Sequence, residues 1–455
     1  MTNQPTVTNP PAPRNPPTAP DPPGPVPPLR RNRDFLLLWS GAAVSNLGSN
    51  ASSVAYPLLV LALTRSPADA GLTGFVALLP QLLFQLPAGA LADRWNRKRV
   101  MVWCDLLRAL ALGSLAASLL WWRLSLAQIL VVGVVEGTLT VCYRIAASAA
   151  VPNVVHPSQL TLALSRNEAR TRGAAMVGQP LGGALFGVAR SVPFLFDACS
   201  YVVSLSTLLL IKADFQVARK PTAPARPAAL VRDIREGVAW LWGHSFLRVT
   251  TLLIAGSNLM FQALFLAVIV LVEHGGARPT AIGLMFGIAA VGGVLGSMAA
   301  PAMRKRLSMR AVVVGANWAW AVLVPLVALP SNPYAIGALY ALMCFVGPVW
   351  NIVVSAYQLT VTPDAIRGRV LGASSLIAFG AIPLGSLLGG LMLDRFGARP
   401  TVWALTAWML LLALAATVSR AVRHAPDAAP APEPEPEPEA EPEPEPEAEP
   451  VTTRR

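Results

Sequence analysis

The 455-residue sequence predicts an all-α membrane protein: twelve transmembrane helices in two pseudo-symmetric six-helix bundles. Three observations predict it. Hydrophobic residues make up 54% of the chain and charged residues 13%, mean hydropathy is +0.52, and the charges collect between long apolar runs. Those runs extend about 18 to 25 residues with at most one or two ionisable groups, the length of a helix across a bilayer. They are continuous and rich in Leu and Ala, whereas the strands of a membrane barrel would alternate. Finally, the chain repeats itself. GALADRWNRKR at 89–99 returns as GSMAAPAMRKR at 296–306, an offset of 207 residues, and each glycine closes an apolar segment ahead of an Arg-Lys-Arg cluster. Two halves with one basic hinge in the same place imply duplication of a membrane unit.

In chain order, residues 1–32 are a Pro-rich arm, predicted to be disordered and cytoplasmic, with no apolar core of signal-peptide type. A first bundle spans 33–211, with runs near 35–63, 70–92, 99–121, 126–149, 167–189 and 193–211. The linker, 212–248, carries Pro221, Pro224 and Pro227 and then VRDIREGVAWLWGHSF. That amphipathic segment predicts an interfacial helix with Trp240, Trp242 and Phe246 dipping into the headgroups. A second bundle spans 249–422, with runs near 249–272, 281–302, 311–329, 334–356, 369–393 and 400–420. Residues 423–455 form a Pro/Glu-rich tail whose charges repel, predicted to be extended, disordered and cytoplasmic.

Charge fixes the orientation. The net charge is +12, but ten of the 24 acids fall at 427–449, so the chain without its tail carries 34 basic against 14 acidic residues. The basic residues lie between apolar runs with no aromatic interleaving, which argues against nucleic acid and for the positive-inside rule. With both termini inside, 28 Lys and Arg face the cytoplasm and six face out; Arg108 and Arg144 lie within helices. A multi-pass protein of the bacterial cell membrane follows. The four cysteines sit in separate predicted helices and the four histidines are scattered, so neither metal, disulfide nor cofactor is expected. The sequence lacks a phosphate-binding Gly-x4-Gly-Lys-Ser/Thr loop, a Gly-x-Ser-x-Gly elbow and a His-Glu-x-x-His pair, so it reads neither as an ATP-driven pump nor as an enzyme.

Several residues stand out against this apolar background. Asp93, Arg94, Arg97, Lys98 and Arg99 follow Gly89 in the first hinge, where charge-assisted bonds can break and re-form as two halves rock, making a latch. Asn96 sits at the turn and suits a left-handed backbone. Asp105 and Arg108 share a face of the third helix, either as a self-neutralising pair or as a coupling site. Glu136 is the deepest carboxylate. It reads as a proton carrier, as a partner of Arg144 two turns on, or as an interhelical bond. Asp197 opens the sixth helix near the outer surface, where a helix-start role is expected. Asn46 and Asn50, and again Asn258 and Gln262, form amide pairs one turn apart on the first helix of each half. Gly178, Pro180, Gly182, Gly183 and Gly187 give the fifth helix a close-packing face, and Pro-Leu-Gly recurs at 383–385.

The string Gly-x-Leu-x-Asp-Arg-x-x-Arg-Lys-Arg resembles the signature between the second and third helices of the major facilitator superfamily, with Asn96 where that family usually has glycine and Ala300 replacing the aspartate in the second copy. SNLGSNASSVAYPLLVLALTRS, DLLRA, and QPLGGALFG followed by DACSYVVS are similar to the branch containing macrolide exporters and the enterobactin exporter. The resemblance covers roughly 33–422. It implies a major facilitator fold and alternating access about a midplane cavity. It also places Glu136 and the amides Asn46, Asn50, Asn258 and Gln262 on the cavity wall, with Trp350 and Asn351 on the matching helix of the second half. The glycine set is similar to the antiporter motif of drug exporters, although Pro180 follows Gln179 rather than glycine. A proton-coupled efflux transporter for a hydrophobic or amphipathic small molecule, working as a monomer in the lipid bilayer, is the expectation. Export of a siderophore, flipping of a lysophospholipid, and a non-transporting sensor or scaffold remain open at this point.

Overall fold

The computed structural model describes residues 28–92, 96–121, 124–213, 215, 227–330 and 332–425. The arm before residue 28, the tail after 425, and Asp93 and Arg94 of the first hinge lie outside the described residues.

Six long helices make the first half: α1 (Arg33–Thr64), α2 (Pro67–Ala92), α3 (Arg97–Leu120), α4 (Leu126–Val154), α5 (Leu160–Val188) and α6 (Val192–Leu210). After the linker helix α7 (Pro227–Gly243), six more make the second: α8 (Ser245–His274), α9 (Pro279–Arg306), α10 (Met309–Leu326), α11 (Pro333–Val361), α12 (Arg367–Phe396) and α13 (Ala398–Val418). A short α14 (Arg420–Arg423) ends the described chain. Among the described residues, eleven of the twelve long helices are apolar enough to cross a membrane. The exception is α5, whose first half carries Arg166, Glu168, Arg170 and Arg172. It begins seven residues before the predicted run because polar residues continue the helix beyond the apolar part.

Local chemistry sets the helix starts. Asn32, Asn96, Ser125, Ser308 and Asn332 each accept a bond from a first-turn N–H through the side chain, which satisfies a donor the helix cannot. Asn96 is therefore an extended N-cap, at φ −63° and bonded to Arg99 N at 3.0 Å, and not the left-handed turn residue expected from the sequence. Several helices carry an internal proline, among them Pro57 in α1, Pro180 in α5 and Pro383 in α12. Membrane helices tolerate these because neighbouring groups satisfy the freed carbonyls.

Duplication is visible in the packing. In the first half α1 packs on α5 and α6, α2 on α4, and α3 on α4 and α6; the second half repeats this with α8 on α12 and α13, α9 on α11, and α10 on α11 and α13. The halves meet mainly through α2 against α12 and α5 against α9. Both crossings are glycine on glycine and lie at the end away from the described termini. A Cβ on Gly71 would come within 2.7 Å of Gly390 Cα, and one on Gly283 within 2.8 Å of Gly183 Cα. Only hydrogen-sized side chains allow that approach. Hydrogen bonds join the halves at this same end: Ser386 Oγ to the Gly71 carbonyl at 3.1 Å and Ser66 Oγ to Asp394 at 3.3 Å.

The linker helix docks on the second half. Arg369 at the start of α12 pairs with Asp233 at 3.1 Å and Glu236 at 2.8 Å. Trp242 is exposed as expected, but Phe246 is 3% exposed against the Tyr357 ring and already belongs to α8. It faces protein and not headgroups. The second bundle accordingly starts at Ser245, four residues earlier than the sequence suggested.

Candidate functional site

A cavity of about 440 Å³ lies between the halves. Its walls come from α1, α2, α3 and α4 on one side and from α8 and α12 on the other. Ala70, Thr73, Gly74 and Ser386 line it where α2 crosses α12, so the glycine closure forms its floor. Apolar surface from Ala77, Leu78, Phe265 and Leu266 dominates much of the remainder. Pro57 adds a polar point, because its missing N–H leaves the Ser53 carbonyl, also at the wall, without a helical donor.

Set into the first-half wall is a charged cluster. Glu136 on α4 is half-buried and both its oxygens are bonded: Tyr56 Oη donates to Oε2 at 2.8 Å and Tyr201 Oη to Oε1 at 2.9 Å. Tyr201 on α6 is fully buried and is the junction of the cluster. Its hydroxyl also meets Ser49 Oγ at 2.9 Å, lies 3.5 Å from Asp197 Oδ2, and accepts a bond from Arg108 Nη2. A phenol has one proton to donate, so Tyr201 serves Glu136 or Asp197 at any moment and not both. Its ring lies beneath the Arg108 guanidinium, with Cζ 3.9 Å from the centroid, a cation–π contact.

Arg108 also donates to Ser49 Oγ at 3.3 Å and lies 3.8 Å from Asp105, one turn back on α3. Asp105 and Asp197 are both wholly buried. Asp197 accepts from Ser200 at 3.1 Å, and the Asp105 oxygens have no hydrogen bond of normal geometry. Three carboxyl groups thus lie around one deeply buried guanidinium, Asp105 paired with it and Glu136 and Asp197 linked to it through the Tyr201 hydroxyl. The helices can come this close because of Gly48, where a Cβ would meet Asp197 Oδ1 and Ser200.

The sequence singled out some of these groups and overlooked others. Glu136 bonds to tyrosines from two other helices; among the described residues it has no ion pair with Arg144, which lines the cavity separately. Asp197 is not a helix-start residue: α6 begins at Val192, and Asp197 points inward one turn later. Tyr56, Tyr201 and Ser49 were missed. The signal for them existed, since Ser49, Ser52, Ser53 and Tyr56 on α1, and Asp197, Ser200, Tyr201 and Ser204 on α6, each follow the spacing 0, 3, 4, 7 that lines one helix face.

The amides divide. Gln262 lines the cavity. Asn258 bonds the Ala378 carbonyl of α12 at 2.7 Å, and Asn50 the Asn46 carbonyl of its own helix at 2.8 Å. Trp350 is 2% exposed and packs on Trp320 with ring centroids 5.9 Å apart, while Asn351 is exposed; neither borders the cavity. On α5, Gly178 and Gly182 face α1, whereas Gly183 and Gly187 face α9 across the half–half boundary, and the Pro180 ring covers Gly287. In the hinge, Gly89 falls within α2. Arg97 donates to the carbonyls of Ala149 at 2.8 Å and Phe215 at 3.2 Å, and Lys98 to that of Ile211 at 2.6 Å. These cations meet carbonyls near the C-terminal ends of α4 and α6, where the helix dipole favours positive charge. Arg99 contributes its backbone N–H to the Asn96 cap.

Known proteins place the molecule. It is 27% identical to the multidrug efflux pump Tap of Mycolicibacterium fortuitum over 395 residues, covering 84% of this chain and 94% of that one. Identity to macrolide efflux protein A of Streptococcus pyogenes is 24%, over 84% of this chain and 94% of that one. The crystal structure of a point mutant of the nucleoside transporter NupG shares the fold with a TM-score of 0.73 at 12% identity, covering 85% of this chain and 100% of that one. A family model described as transmembrane secretion effector matches residues 23–453. The chain therefore belongs to the transmembrane secretion effector family, a multi-pass membrane branch of the major facilitator superfamily transporters.

Proposed function

We propose that the protein exports a hydrophobic or amphipathic small molecule across the cell membrane in exchange for protons, by alternating access, as a monomer with both termini in the cytoplasm. Relatives named for multidrug and macrolide efflux support export, and the apolar wall of the cavity suits such a cargo better than a sugar, which needs many hydrogen-bond partners. The positive-inside count supports the orientation. In that orientation the glycine closures seal the outer end and the cavity faces the cytoplasm, so the conformation described is inward-facing.

The observation that carries the proton role is the two-tyrosine clamp on Glu136 at the cavity wall. Three carboxyl groups around one buried guanidinium are neutral as a set only with two protons bound, and an uncompensated charge within a bilayer is costly. Glu136 borders the cavity and exchanges its proton there. Tyr201 moves its single donor bond between Glu136 and Asp197, and Arg108 with Asp105 holds the positive centre in place. Arg144 and Gln262 contribute polar wall, and Asp93 and Arg94 complete the hinge latch begun by Arg97, Lys98 and Arg99.

Everted membrane vesicles energised by respiration test the assignment. Glu136→Gln should abolish uphill accumulation of an exported dye and the accompanying proton movement, while downhill exchange persists. Full proton-driven accumulation by that variant would refute it.

A further inference from the structure

A second cavity, of about 500 Å³, lies apart from the first, at the end of the second half where the described residues finish. It is built where the linker enters α8, where α11 ends, and where α13 gives way to α14. Its polar groups are mostly donors. Arg248 and Arg420 bring two guanidinium groups, His244 and His424 two imidazoles, and no carboxylate lines it among the described residues. Arg420 has no side-chain partner among the described residues, and Arg248 makes one bond, to the Trp242 carbonyl at 3.2 Å. Tyr357 lines the same space, is 6% exposed, and its hydroxyl has no hydrogen-bond partner among the described residues. The His244 ring accepts from Leu247 N through Nδ1 at 3.5 Å, which leaves its Nε2–H as a further donor.

Cationic donors without a carboxylate to answer them, around a space of this size, define an anion site. Paired guanidinium groups match phosphate oxygens in geometry as well as charge. The surroundings are amphiphilic: Leu252, one turn deeper than Arg248 on the same face of α8, is 47% exposed, and Val418 at the end of α13 is 63% exposed. Exposed Trp242 stands beside them, as aromatic residues do at the headgroup level. Basic pockets between membrane helices on this side of a bilayer are suited to lipid phosphates.

We propose that this cavity binds the phosphate headgroup of an anionic lipid, whose acyl chains lie along α8 and α13. The lipid holds the linker helix, α8 and the chain end together on the second half, independently of the proton site. It rests on the proposed cytoplasmic orientation of the chain ends and not on proton-coupled export.

The test uses the full chain purified in neutral detergent and titrated with dihexanoyl phosphatidylglycerol, dihexanoyl phosphatidylcholine or inorganic phosphate, read by native mass spectrometry. Phosphatidylglycerol should bind at least tenfold more tightly than either of the others. Arg248→Gln with Arg420→Gln should weaken it about thirtyfold, the loss expected for two interfacial cations. Arg248→Lys with Arg420→Lys, which keeps the charge but loses the planar paired donors, should weaken it by about three- to tenfold, less than the glutamine pair. Equal binding of phosphatidylcholine, equal binding of free phosphate, or indifference to the glutamine pair would each overturn the proposal. So would a rise of more than tenfold when the glutamates at 433–449 are changed to glutamine in the full chain, because the acidic tail would then be the occupant.

Discussion

Tyr201→Phe isolates the junction of the charged cluster. The substitution keeps the ring beneath Arg108 and deletes one oxygen that meets Glu136 at 2.9 Å, Ser49 at 2.9 Å and Asp197 at 3.5 Å. Arg108 retains Ser49 at 3.3 Å, and Glu136 retains Tyr56 at 2.8 Å, so each loses one of its two hydrogen bonds. The bond to Glu136 involves a carboxyl group, worth roughly 1.5–3 kcal/mol when ionised and about 1 kcal/mol when both partners are neutral. A total cost of about 3 kcal/mol follows, once the weakened Arg108 contact is included. In a Glu136→Gln background the same deletion should cost about 2 kcal/mol, because the amide forms a neutral bond while the Arg108 contact is weakened as before. The expected coupling between the two positions is therefore about 1 kcal/mol. Unfolding of the four proteins in mixed micelles, followed by tryptophan fluorescence, closes the cycle. Additivity within about 0.5 kcal/mol would show that Tyr201 and Glu136 do not act as a unit, and the donor-switch reasoning would fall with it.

Asn32→Ala should destabilise the first half by about 1–2 kcal/mol, read by thermal unfolding in detergent, since the side chain caps α1 at Phe35 N and also donates to the Val154 carbonyl at 2.7 Å. Gly71→Leu should prevent closure of the outer end, because even a Cβ there meets the Ser386 carbonyl at 2.6 Å; maleimide labelling of Thr73→Cys from outside should rise severalfold. Removing residues 426–455 should leave dye efflux within about twofold of the parent, and complete loss would favour a scaffold whose tail recruits a partner. Met343→Glu should sharply reduce membrane insertion and yield, since that position is fully buried with no tyrosine clamp, and a lone carboxylate at such depth costs about 2.5–3.5 kcal/mol.

The architecture was legible because its signals are long. An apolar run of about twenty residues or a basic hinge repeated after 207 residues is hard to mistake, and helix positions followed to within a few residues except where α4, α5 and α11 run on by five or more residues. The site was legible only in part. Glu136, Asp105 and Arg108 announce themselves as charges in apolar surroundings, but what they bond to depends on which helix faces meet. Tyr56 and Tyr201 look like ordinary aromatic filler until their hydroxyls are placed beside Glu136. Asp197 was misread because five residues from a helix start can equally be a cap or a first inward turn, and only tertiary packing decides. Likewise, Trp350 and Asn258 sit at positions where a cavity was expected, yet rotation of their helices turns one onto Trp320 and the other onto the Ala378 carbonyl.

Duplication sharpens the meaning of the cluster. The N-caps Asn96 and Ser308 open α3 and α10 and lie 212 residues apart, so Asp105 corresponds to Asn317 and Arg108 to Trp320. The caps Ser125 and Asn332 of α4 and α11 lie 207 apart, which pairs Glu136 with Met343. All three counterparts are buried, Asn317 donates within its own helix to the Val313 carbonyl, and Trp320 donates to the Met343 carbonyl at 3.0 Å. Where one copy holds an acid, a cation and an acid, the other holds an amide, an indole and a thioether. Neither copy mixes the two sets, and a half-converted set holding the cation without its acids would bury an unpaired charge. A rocking pair of equivalent halves needs a proton site in only one of them, provided the cargo touches both. Here the cavity does touch both, through Glu136 and Arg144 on one wall and Gln262, Phe265 and Leu266 on the other. Under the proposed function, charge in one half and apolar surface in the other let proton binding on one wall alter how the shared space receives an amphipathic cargo.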